Sequence, residues 1–249
     1  MADENSAPAR KRFTGRVWLV LLCALSIVVF LAIVMPGVFD VRHKKRSFEV
    51  KTPIKRLVLE SKGTSKVDIS LSRDGHVHVL RTSSISRDSR LVERKSVSAK
   101  TLTIRSACTR SRLGILRRCD VRYRLRVPKE TALSLRVHFG TTTIHGVRGP
   151  LEFKSDAGTL EGFGCHKYAD LSLTFGSIDY RNTCVPKIIK VKMKAGDVAL
   201  TVPAGRYDVH PGNHAMRPFE NIIEDPASLN EINVDIDWGG SVRITGAHR

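Results

Sequence analysis

Aromatic residues make up only 6% of this 249-residue chain, with 2 Trp and 4 Tyr. Its most basic stretch, residues 87–126, carries 13 Arg and Lys against Asp88, Glu93 and Asp120, yet no series of aromatics interleaves it. Bases would find little to stack on. That argues against nucleic acid as the partner, although a net charge of +18 would otherwise invite it. Acidic residues are few, 24 in all, and six of them fall in 219–237, where no base stands. No nucleophile elbow, phosphate-binding loop or zinc motif occurs, so nothing points to a known hydrolytic or nucleotide-dependent chemistry. Outside residues 17–35 no stretch has an amphipathic helical period.

What is present is a repeat. Leu133-Ser134-Leu135-Arg136-Val137-His138-Phe139-Gly140 is followed by Leu151 to Gly158, Leu171 to Gly176 and Ile189 to Gly196, and a last copy ends at Trp238-Gly239-Gly240. Gly140, Gly158, Gly176 and Gly196 lie 18, 18 and 20 residues apart. Each copy alternates apolar and polar residues, the period of a strand with one buried face. Counting back from each Gly, the alternate set includes Phe139, Ala157, Phe175 and Ala195, which are expected on the core face with Val137, Phe153, Leu173 and Met193. Gly inside strand-like sequence marks a bend or a close backbone approach. One copy therefore reads as one coil: strand, Gly corner, strand, turn. A single coil cannot bury its apolar face, so coils must stack. The expected fold is all-β, a β-solenoid; a β-sandwich of Gly-cornered hairpins is the alternative.

Residues 17–35 form an apolar run long enough to cross a bilayer as one helix. No clear small-x-small cleavage site follows, which favours a retained signal anchor over a cleaved signal. Basic residues flank the run on both sides, so the positive-inside rule hardly decides orientation. The short polar residues 1–16 are expected to stay inside as a cytoplasmic tail while the larger part crosses. Residues 36–47, with Pro36-Gly37 and a basic cluster, are expected to be a juxtamembrane linker. Residues 48–130 are expected to form irregular N-terminal coils or a capping sheet, and 131–249 the regular repeats. An inserted loop is expected over 211–230. Cys23 lies in the apolar run; Cys108, Cys119, Cys165 and Cys184 remain, an even number that fits an oxidising exterior. Cys165 and Cys184 are about one coil apart. Pairing 108–119 and 165–184 is chosen among three connectivities.

The Gly-centred copies, the stretch Val198-Ala199-Leu200-Thr201-Val202-Pro203-Ala204-Gly205-Arg206-Tyr207-Asp208-Val209 and the closing Gly239-Gly240-Ser241-Val242 resemble the DUF4097 family, adhesin-like repeat proteins of bacterial membranes. Ala195-Gly196-Asp197-Val198 is nearest to that family's repeat form. The resemblance covers roughly residues 50–249. It implies a right-handed β-helix-like fold and an extracytoplasmic position, and it implies no catalytic residues.

Three chemistries are weighed. A dense basic face attracts anionic wall polymers or lipid headgroups. The candidate contacts are Arg105, Arg110, Arg112, Arg117, Arg118, Arg122, Arg124 and Arg126, set against the plainer role of outward charges that keep strand edges apart. His76 and His78 share a strand face but have no obvious third ligand nearby. Asp156, Glu161, Asp170, Asp179 and Asp197 sit at turn or polar positions, where a solvated acid is the simpler account of them than glycosidic catalysis. The expectation is a non-catalytic, single-pass envelope protein without cofactor or metal, presenting a binding or scaffold surface. A sensor or accessory protein with a membrane-protein partner is the alternative.

Overall fold

The computed structural model describes residues 18, 20–29, 41–86, 89–110, 119–212 and 219–247, and almost all of them are strand. Residues 20–29 form a short helix; among the described residues no helix is long and apolar enough to cross a membrane. The centre of the molecule is a stack of long parallel strands: β2 (Arg56–Leu71), β7 (Ala132–His145), β8 (Leu151–Gly164), β9 (Tyr168–Asn182) and β10 (Ile188–Pro203), neighbours in that order. Each strand runs unbroken through its Gly. Ser65, Gly140, Gly158, Gly176, Gly196 and Gly240 stand in register, one per coil.

That column is a crease. The sheet bends along it into two walls, with the core between them. Gly158 has φ +146° and Gly176 φ +134°, backbone that L-residues avoid. A Cβ on Gly158 would overlap the carbonyl oxygen of Gly140, and one on Gly176 that of Gly158. Coils stack about 4.8 Å apart, so backbone meets backbone at the crease.

The crease also shifts the alternation. Leu151 and Phe153 face inward before Gly158, and Leu160 and Gly162 after it, so the inward set moves from odd to even residue numbers. The residue just before each Gly then turns outward. Phe139 and Phe175 are half exposed and line up through Ala157 with Ala195. They are not core residues, contrary to the expectation from counting, because the positive-φ Gly reverses the face once per coil.

The second corner of each coil is a turn. Cys165 and Cys184 occupy successive turns and are bonded, Cα to Cα 5.0 Å. Asn182 stitches the same corner: its amide donates to the carbonyls of His166 and Cys184, and its oxygen accepts from the His166 N–H. Closing a loop with a sequence separation of 19 stabilises by about 3 kcal/mol in the chain-entropy picture. Cys165→Ala/Cys184→Ala is expected to lose about that much, read as a lower urea midpoint at unchanged slope.

Both ends depart from the regular coil. At the N-terminal end one coil is split: β5 (Thr101–Arg110) pairs with the first half of β2 and β6 (Cys119–Val127) with its second half. The Cys108–Cys119 bond joins them at the crease, Cα to Cα 6.4 Å. Antiparallel strands extend each wall: β3 (Val77–Ser86) then β1 (Val41–Val50) beyond β6, and β4 (Ser89–Ser98) beyond β5. Residues 41–47 are thus strand rather than linker. Their charges obscured a strand whose backbone is satisfied by pairing with β3 along its whole length.

At the other end the chain doubles back. β14 (Glu231–Ile236) and β15 (Gly240–Ala247) lie directly on β10, while the earlier β11 (Gly205–Pro211) is pushed outside β14. Phe219–Glu220 and Ile222–Glu224 add two short strands within the region expected to be loop.

Candidate functional site

The interior changes character at the N-terminal end. In the regular coils the inward positions are mostly Leu, Ile, Val, Phe, Tyr and Met, with small residues such as Thr142, Ser155, Gly162 and Ala169 between them and no charged side chain among the described residues. In β1 the inward set is Arg42, Lys44, Arg46 and Phe48, opposite Ile85, Ser83, Arg81 and Val79 of β3. β4 presents Leu91, Glu93 and Lys95 from the other wall. Nothing stacks on β1 and β4 among the described strands, and between them opens a cleft of about 790 Å³.

Its floor is polar and ordered. Arg81 is 5% exposed, and its Nη1 donates to Glu93 Oε2 at 2.8 Å. Tyr123 OH donates to the same oxygen at 3.0 Å. Burial pushes the Tyr123 phenol well above its usual range, and the Glu93 carboxylate reinforces this. Ser106 Oγ donates to Ser61 Oγ below them. Arg81 Nε is buried without a partner among the described residues. On the rim, Lys95 Nζ sits 4.3 Å from the Phe48 ring centroid.

The sequence-derived basic residues fall elsewhere and do not form one zone. Arg105 points outward from the first wall and pairs with Glu60 at 3.1 Å. Arg122, Arg124 and Arg126 point outward from the second wall, where Arg122 and Arg124 line a shallow groove of about 530 Å³ with Lys45 and Lys66. Arg110 ends β5; Arg112, Arg117 and Arg118 lie outside the described residues. Alternation on strands of two different walls separates what the sequence lists together. The inward cations of β1 were missed because residues 36–47 read as linker. Their period-2 spacing, Arg42-x-Lys44-x-Arg46-x-Phe48, was the available signal.

No family model matches the chain, and no curated protein matches it; the DUF4097 resemblance rests on the residues quoted for it. Solved structures with a similar path include a candidate cell-adhesion protein from Clostridium sporogenes, 15% identical, aligned over 83% of this chain and 100% of its own, TM-score 0.48. A candidate adhesin from Bacteroides fragilis aligns over 82% and 97%, at 9% identity and TM-score 0.42. Another from Parabacteroides distasonis aligns over 82% and 97%, at 12% identity and TM-score 0.40.

The other candidate groups are dispersed. Asp156 pairs with His138 on the first wall, and Asp197 accepts from the N–H and hydroxyl of Ser241 on the second. Glu161 and Asp179 are register neighbours on the open exterior of that wall. His78 bonds Asp74 at 2.7 Å, and Glu49 stands beside them, a trio within 4.8 Å that does not include His76. The Ser72 hydroxyl and the His76 N–H hold the Asp74 carboxyl well below its usual range. Three donors, Glu49 and Asp74 exposed and His78 half-buried, fall short of the four that a structural zinc site takes.

His166 is the buried histidine of the described core. Its Nδ1 lies 2.6 Å from the Gly149 carbonyl, and Nε2 has no partner among the described residues. Burial lowers its pKa, partly offset by the Gly149 bond. The folded state thus holds it neutral, while the unfolded chain binds its proton near the ordinary pH of about 6.5. Its stabilisation is complete above that pH and lost as pH falls below it. The thermal midpoint is expected to drop between pH 7 and 5, and the drop to shrink in His166→Asn.

Proposed function

We propose that this chain is a single-pass membrane protein with a right-handed β-solenoid held outside the cytoplasm, a non-catalytic binding and scaffold surface that takes anionic partners at its N-terminal end. The observation that carries this is the clustering of cations there on both faces: Arg42, Lys44 and Arg46 inward, Lys45, Lys66 and Arg122 outward. The described helix supports the membrane part, since Leu21, Leu22, Leu25, Ile27 and Val28 are all more than half exposed and need apolar surroundings. Two disulfides fit an oxidising compartment. The purified full chain in neutral detergent is expected to bind anionic polymer or lipid at low salt and to release it as salt rises from 0.05 to 0.5 M (about a 14 to 4 Å screening length). Binding that is absent, or indifferent to salt, overturns this function.

The crease favours a second use. Phe139 and Phe175, each half exposed, make a ridge that a membrane-protein partner of an envelope-stress system would cover. A photo-crosslinker at position 175 that captures one stoichiometric partner in membranes supports it; capture equal to that at an outward Lys position does not.

A further inference from the structure

We infer that the cleft between β1 and β4 is a binding site for the phosphate headgroup of an anionic phospholipid, one molecule per chain. The inference rests on the membrane-tethered function just proposed and gives it a ligand. Among the described residues six cations line the cleft against one carboxylate, Glu93, and that carboxylate is already taken by Arg81 and Tyr123. Among the described residues Arg42, Lys44 and Arg46 have no ion pair. A phosphate supplies the missing charge and accepts from guanidinium in the geometry that Arg favours.

Inward charges on edge strands also serve to prevent edge-to-edge pairing. Edge protection, however, requires neither an open cleft nor a guanidinium buried at its floor with Nε unpartnered. That group costs stability unless something bonds it. The cleft is also amphipathic: Phe48, Ile85, Leu91 and Val92 line it beside the cations. A free phosphate or a polyphosphate chain has no use for those side chains, whereas the glycerol and upper acyl chain of a lipid do.

Position favours the same ligand. Arg42 follows the end of the apolar run by seven residues. Seven residues span at most about 25 Å, so the cleft cannot leave the neighbourhood of the bilayer surface that the run enters.

The test uses the full chain in dodecyl maltoside micelles. Phosphatidylglycerol or phosphatidylcholine is titrated in, and bound lipid is counted by native mass spectrometry. One phosphatidylglycerol is expected to be retained in preference to phosphatidylcholine. Arg42→Gln/Lys44→Gln/Arg46→Gln changes only exposed side chains and is expected to weaken retention on the order of 100-fold. The outward variant Lys190→Gln/Lys192→Gln/Lys194→Gln, three exposed cations of β10 at the other end of the stack, is expected to change it by less than about threefold. Equal loss in the two triple variants, or binding without a one-to-one limit, overturns the site while leaving diffuse anion binding intact. A polyglycerol-phosphate polymer that binds through the inward triad when phosphatidylglycerol does not overturns the lipid assignment. Failure of every anion to bind overturns both the site and the function it rests on.

Discussion

Gly158→Ala is expected to destabilise the chain on the order of 4 kcal/mol or more, enough to prevent its recovery as soluble folded protein. Two penalties act together. The backbone at φ +146° disfavours any Cβ, by about 1–2 kcal/mol. The Cβ would also overlap the Gly140 carbonyl oxygen, and that atom belongs to the neighbouring coil's backbone and cannot step aside. Relief would require two coils to separate at the crease, which breaks the parallel ladder on both walls. Gly75 supplies the control. It also has positive φ, +75°, but a Cβ there meets nothing within 4 Å. Gly75→Ala is expected to cost only about 1–2 kcal/mol. Urea unfolding, or soluble yield where the variant fails to fold, separates the two; similar losses at Gly75 and Gly158 would sink the account of the crease.

Glu93→Ala is expected to cost about 3–5 kcal/mol, because it strands a buried guanidinium. Arg81 is 94% removed from solvent by its side-chain exposure of 6%, and Glu93 is its only ion-pair partner among the described residues. The same substitution takes the acceptor from Tyr123 OH. Removing both charges in Glu93→Ala/Arg81→Met is expected to recover most of the loss, since an apolar replacement ends the need to solvate either ion. The double-mutant cycle in urea reads the coupling directly. A single-variant cost below about 1 kcal/mol, as for an exposed pair, would show that water reaches Arg81 freely.

The fold was legible wherever one period ruled. Leu133, Leu135 and Val137, or Ile189, Val191 and Met193, alternate without exception and are all buried. The Gly spacing of 18 to 20 residues named the coil length, and the register places those glycines in one column. Reading failed where one residue changed the period. Phe139 and Phe175 look like core from their place in the alternation, but the positive-φ Gly beside them turns them outward. It failed again where composition hid pattern: residues 41–47 read as a charged linker and belong to the strand Val41–Val50. The site suffered most from this. Arg122, Arg124 and Arg126 stood out by density yet face solvent on an outer wall, whereas Arg81, far from that stretch, lies at the floor of the cleft.

The sequence by itself determined the all-β class, the coil length, the apolar run and the cysteine pairs close enough in chain to bridge. These are local properties, set by side-chain period and by glycine's missing Cβ. Only the tertiary structure decided which cations meet. Antiparallel pairing of β1 with β3 sets Arg46 opposite Arg81 and Arg42 further along the same face, opposite Ile85, and Glu93 reaches Arg81 across the core from the opposite wall. Such contacts depend on strand order and on which way each strand faces, and no spacing along the chain encodes either.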